Sequence, residues 1–142
     1  MTSQLNVDTI LDKAGSGGSN VKMANTSTYV SDGGATTQNT VQGLVKSWVN
    51  HDQATVNDSH NIGSVTDNGS GDYGTNFTNN MSNANYSAGG LGVHDGGSYT
   101  RIQTIDHDDP FTTSEATINV QDTNGTQADA EPLCTLYVGD LA

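Results

Sequence analysis

The residues of this chain best suited to chemistry are carboxylates and imidazoles. Asp106-His107-Asp108-Asp109 is the densest polar cluster. Its carboxylate oxygens suit a divalent cation, with His107 as an added nitrogen donor. A calcium loop needs alternating acidic positions, a glycine and a distal glutamate; here only Glu115 lies nearby, at the wrong spacing. Asp106, His107, Asp108 and Asp109 are therefore weak metal candidates, read first as a solvated turn ahead of Pro110. Asp67-Asn68-Gly69-Ser70-Gly71-Asp72 has the outline of another cation loop, yet a reversing turn already accounts for its glycines. No metal or other cofactor is expected.

Acid–base chemistry would draw on His51, His60, His94 and His107, with His94-Asp95 read as the candidate imidazole–carboxylate pair. Adjacent strand residues point to opposite faces, so that pair forms a dyad only within a turn. The chain contains no Gly-x-Ser-x-Gly elbow, no His-Glu-x-x-His helix and no phosphate-binding Gly-Lys-Thr loop. The expectation is a protein that is not an enzyme, with a polysaccharide-degrading activity as a remote alternative resting on carboxylate pairs alone. Cys134, the sole cysteine, sits in the apolar run from Leu133 to Val138 and reads as a small buried hydrophobe. Several Asn-x-Ser/Thr triplets occur, among them those at Asn25, Asn57, Asn68, Asn76, Asn85 and Asn124, a by-product of how common these residue types are. Trp48, the lone tryptophan, reads as a core plug, with stacking on a ligand such as a glycan as its other use.

Composition narrows the classes further. Thr, Asn, Ser and Gly supply 64 of 142 residues, which favours strands and tight turns over helices. Lys and Arg number only 4 against 16 acidic residues, giving a net charge of −12. Phosphate contacts need a clustered positive field, so nucleic acid is not an expected partner, and neither is an anionic membrane surface. No 18-residue apolar stretch and no basic-then-apolar leader occurs, so neither membrane insertion nor export is expected, and the chain is expected to be made in the cytoplasm. Leu, Ile, Val and Phe total 25 residues, under a fifth of the chain. So little apolar material with so much charge lies in the range of disorder, and burial completed by neighbouring copies reconciles it with a folded state.

The elements that must position these residues are strands. Leu5, Val7, Thr9 and Leu11 alternate with Asn6, Asp8 and Ile10 before the Gly15-Ser16-Gly17-Gly18-Ser19 hinge. Residues 1–20 therefore read as an anchoring arm, with Leu5, Val7, Ile10 and Leu11 as its docking side chains, that adds to a neighbour's sheet. Residues 21–142 read as a single β-sandwich domain. An extended piece is expected from Val21 to Asp32. From Thr36 to Val49, the spacing of Val41, Leu44, Val45 and Trp48 suits one face of a helix, while the β-branched content favours a strand from Leu44. Turn signals then recur every 10–15 residues or so around runs at Asn61–Thr66, Tyr73–Thr78, Tyr86–Val93, Tyr99–Asp106, Ala116–Gln121 and Leu133–Val138. Thr117, Asn119 and Gln121 alternate with Ile118 and Val120, the pattern of a sheet with one wet face. Asn68-Gly69 marks a hairpin. The expected fold is all-β: an antiparallel sandwich, or small barrel-like meander, with Trp48, Ile62, Val65, Tyr73, Phe77, Tyr86, Ile118, Val120, Leu133, Leu136 and Val138 in the core or the contact between copies.

Around that hairpin the chain resembles the small β-sandwich modules of tail fibre and virion-surface proteins of aquatic tailed phages. The likeness is carried by Lys46-Ser47-Trp48-Val49-Asn50, by the stretch from Asp58 to Tyr73, by Asn76-Phe77-Thr78 and by Met81-Ser82-Asn83-Ala84-Asn85-Tyr86. Leu5-Asn6-Val7-Asp8-Thr9-Ile10 and Val138-Gly139-Asp140-Leu141 look like the segments flanking such modules. The resemblance implies a homotrimer on the virion exterior, without catalytic residues. Capsid decoration, a cement protein bound to the major capsid protein, suits a chain of this length. The alternative is a short tail or head fibre component that contacts other tail proteins and a host-surface glycan through Trp48, Tyr73, Tyr86, Tyr99 or His94 for host attachment. A fibre would ordinarily show heptads, Gly triplets or β-helix repeats as a spacer, and none is visible.

Overall fold

Runs rich in Thr, Val, Ile and Tyr, punctuated by Gly, Asn and Asp, form ten strands among the described residues and no helix. The computed structural model describes residues 27–30, 37–41, 43–90, 100–106 and 108–142. The arm side chains Leu5, Val7, Ile10 and Leu11 lie outside them, as do His94, Tyr99 and His107. The strands are β1 (Thr28–Val30), β2 (Thr37–Asn39), β3 (Val45–Asp52), β4 (Thr55–His60), β5 (Ile62–Gly69), β6 (Asp72–Phe77), β7 (Ser87–Gly90), β8 (Ile102–Ile105), β9 (Glu115–Gln121) and β10 (Leu133–Val138). β10 keeps its expected bounds, while β5 to β9 fall on the other five expected runs with ends moved by up to three residues. The helical reading of 36–49 gives way to β2 and β3.

All pairings are antiparallel. β4-β3-β10-β7 and β5-β6-β9-β8 form two four-stranded sheets, and β1 pairs with β2. The chain passes from the first sheet to the second through one residue, Asn61, which stands between β4 and β5 at φ 59°. Asparagine tolerates this left-handed conformation better than most residues because its short amide bonds locally. Here the Asn61 Oδ1 accepts from the Asn79 backbone N–H (2.7 Å) and from its Nδ2 (2.9 Å), and Asn61 Nδ2 donates to the Asn79 carbonyl (3.1 Å). A bend of this kind lets one ribbon contribute to both layers of a sandwich.

The core lies between the layers in two clusters. One packs Val49 and Leu133 of the first sheet against Val65, Tyr73 and Val120 of the second, and the other gathers Phe77, Met81, Tyr86, Ala116 and Tyr137. Ile62, half-buried, touches both. Tyr137 is fully buried and meets Phe77, Tyr86 and Phe111 edge-on, with ring centroids 5.2, 6.2 and 6.5 Å away. Its hydroxyl lies 2.6 Å from Thr75 Oγ1, which donates to the Ala116 carbonyl at 2.9 Å. The layers are also tied by Gln103 of β8, whose Nε2 donates to the Cys134 carbonyl (3.2 Å) and whose Oε1 accepts from Thr135 Oγ1 (2.7 Å). Gly90 permits this tie, since a Cβ there would fall 1.9 Å from Gln103 Oε1.

Several sequence expectations are corrected. Trp48 and Leu136 are not core residues of the subunit: they are 36% and 43% exposed, and Val138 is half-buried. Strand parity explains this, because Ser47, Val49 and His51 of β3 and Leu133, Thr135 and Tyr137 of β10 take the inward positions. Cys134 shares the outward parity and is exposed. The supposed wet face of β9 is covered, with Thr117 and Asn119 buried. Thr117 Oγ1 donates to Asp109 Oδ2 (3.1 Å), and Gln127 Nε2 donates to Asn119 Oδ1 (3.0 Å), so polar side chains of flanking loops lie across that face. Positive φ falls on Gly69 and Gly71, and with Gly69 paired to Asp72 the hairpin reverses at Ser70-Gly71 rather than at Asn68-Gly69. Finally, β4 was not anticipated, because Thr55–His60 offers one apolar residue, Val56, as a signal.

Candidate functional site

The polar clusters act as turns. The Asp106 carboxylate accepts from the backbone N–H groups of Asp108 (2.8 Å) and Asp109 (3.4 Å). The Asp67 carboxylate accepts from the Gly69 N–H at 3.0 Å. Asp122 closes a third turn, accepting from the Thr126 and Asn124 N–H groups (2.9 and 2.8 Å), and these bonds hold its carboxyl below the usual carboxylate range. Among the described residues, no three His, Cys, Asp or Glu side chains gather as a metal site would require.

The imidazoles and phenols belong to the packing. His51 is 2% exposed; its Nδ1 lies 2.7 Å from the Gln53 carbonyl and its ring meets Tyr73 edge-on at 5.4 Å. Burial depresses its pKa, and the Gln53 bond and the Asp52 charge only partly oppose this. Tyr73 and Tyr86, expected as exposed stacking groups in a glycan-binding role, are buried. Tyr73 donates to Asp129 Oδ1 (3.1 Å), which also accepts from the Gly71 N–H (2.8 Å), while the Tyr86 hydroxyl reaches the Glu115 and Thr112 carbonyls. Burial drives the Tyr73, Tyr86 and Tyr137 phenols well above their ordinary range, so all three stay protonated donors.

What is left is the outward face of the β4-β3-β10-β7 sheet. Strand register places its side chains in rows: Trp48 beside Leu136 beside Gly89, Asn50 beside Cys134, and Val45 beside Val138 beside Ser87. Val45 is 46% exposed, so three large apolar side chains stand in the open on adjoining strands. Trp48 and Leu136 border a shallow depression of about 500 Å³ that Asn50, Gly89, Gly90 and Cys134 also line. Gly89 forms part of its floor, and a Cβ there would meet nothing closer than Leu136 Cδ1 at 3.7 Å. None of the side chains in the three rows is charged. Charge borders the rows: Asp58 of β4 pairs with Asn50, Asp52 ends β3 at the parity of Trp48 and Asn50, and His60 of β4 stands beside Trp48.

Three of the expected core or contact residues, Trp48, Leu136 and Val138, therefore meet on this face. The sequence did hold a signal for it. The run from Leu133 to Val138 carries apolar residues at both parities, as expected of a strand covered on both faces. The family models, the curated proteins and the solved structures contain no match to this chain.

Proposed function

We propose that the chain is a non-enzymatic structural subunit of a tailed-phage virion, joined to copies of itself on the particle exterior, with decoration of the capsid shell as its first role. The supporting observation is the exposed apolar strip of Trp48, Leu136 and Val45, gathered on adjoining strands of one sheet face in a chain whose net charge is −12. Contiguous apolar surface of this sort marks an interaction site. The segments resembling virion-surface modules supply much of β3 to β6, the ribbon that links the two layers, and that resemblance implies three copies. Partners are other copies and the major capsid protein. Quantitative mass spectrometry of purified virions tests the role: hundreds of copies per particle support shell decoration, and absence from the particle refutes it.

Exposure of Trp48 with His60 beside it favours a second reading, a tail or head fibre component that stacks a host-surface glycan on the indole. A few to a few dozen copies per particle, with quenching of Trp48 fluorescence by host polysaccharide, would support it. Chain scission of that polysaccharide by the purified protein would overturn the non-enzymatic assignment.

A further inference from the structure

We infer that the outward face of β3, β10 and β7 is covered by a second copy of this chain, related by a twofold axis that runs between the two sheets parallel to β10. The inference rests on the homo-oligomer proposed above and assigns its contact. β10 lies between β3 and β7, so Trp48 and Gly89 stand one strand to either side of it, about 4.8 Å away, in one row. Rotation about β10 exchanges these two positions. The Trp48 indole of each copy then enters the hollow over Gly89 of the other, Leu136 meets Leu136, and Cys134 meets Cys134. A knob and a hollow at equal distances from one strand make the face complementary to itself, as an isologous contact requires.

Charge favours this face for a second copy. Two chains of −12 repel each other, so copies meet at least cost where the touching surfaces bring no charges face to face, and the three rows carry no charged side chain. Asp58 lies on β4, two strands from the axis on the side opposite β7. The rotation carries it beyond the partner's β7, where it faces none of the paired strands.

A twofold contact makes the number of copies even: two, or six where threefold packing also joins the subunits. The test uses the full chain at tens of micromolar with three readouts: light-scattering mass, emission of its single tryptophan, and covalent pairing of its single cysteine by a short bis-maleimide. Wild type should have an even-copy mass, blue-shifted Trp48 emission and covalent dimers. Leu136→Arg sets two like charges on the axis, and Gly89→Gln fills the hollow with no close backbone contact. Both should halve the mass, shift the emission to the red and abolish the covalent dimer while keeping the wild-type circular dichroism. An oligomeric wild type whose mass and emission are unchanged by both variants would overturn the face and leave the homo-oligomer standing. So would three copies with solvent-exposed Trp48. A single-chain wild type would overturn both.

Discussion

Replacing Tyr137 measures how the core joins the two layers. Tyr137→Phe removes one hydroxyl at a fully buried position and with it the 2.6 Å contact to Thr75 Oγ1. Thr75 keeps its bond to the Ala116 carbonyl, so no buried donor is orphaned. The loss should be about 1 kcal/mol, the net value of one internal hydrogen bond. Tyr137→Leu also removes the ring and its three edge-on contacts with Phe77, Tyr86 and Phe111. With about 0.5–1 kcal/mol for each aromatic pair and a further cost for imperfect refilling, its loss should reach about 3–4 kcal/mol. Against a total stability on the order of 10 kcal/mol, both are readable from urea unfolding followed by circular dichroism at one protein concentration. A loss above 3 kcal/mol or so for the phenylalanine variant, or below about 1 kcal/mol for the leucine variant, would refute the packing described for Tyr137.

His51 should make stability pH-dependent. Its folded pKa lies below the unfolded value of 6.5, so the unfolded chain takes up a proton first on acidification. Its stabilising contribution is whole above pH 6.5 and is lost as pH falls from there through the depressed folded value, so His51→Gln should show a smaller drop in urea midpoint between pH 7.5 and pH 5. Gly71→Ala should cost roughly 3 kcal/mol or more, since φ is +68° and the new Cβ would lie 2.4 Å from the Val120 carbonyl oxygen. Gly125→Ala, at φ +83° with only Gln121 Oε1 at 3.9 Å, should cost about 1 kcal/mol. At the sheet switch, Asn61→Gly keeps the conformation and loses the clasp to Asn79, so it should be about 1 kcal/mol milder than Asn61→Ala, which loses both. Thermal melts of the four variants give the order.

Strand content was legible because turn residues and β-branched runs are local signals: Leu133–Val138 is β10 to the residue. Parity was harder to read. Val45 and Lys46 form an irregularity opposite Val138, and the shift it introduces helps decide that Trp48 faces out while Ser47 and Val49 face in. Cys134 was misplaced for a related reason, since an apolar run does not say which alternate residues the opposing layer takes. The cover on β9 depends on Asp109 and Gln127, contacts made by loops whose paths composition does not encode. Trp48, Leu136 and Val138 are three of the eleven residues expected in the core or the contact between copies, and their gathering on one outward face emerges only from the register of β3 with β10.

Apolar surface shared between copies contributes stability only while the copies are together, so unfolding must respond to mass action. The most direct measurement is the thermal midpoint of the full chain over a hundredfold range of concentration, paired with sedimentation equilibrium at the same concentrations. A midpoint that climbs several degrees with concentration, alongside a multi-copy mass, is the predicted result. A constant midpoint with the mass of one chain throughout would contradict it.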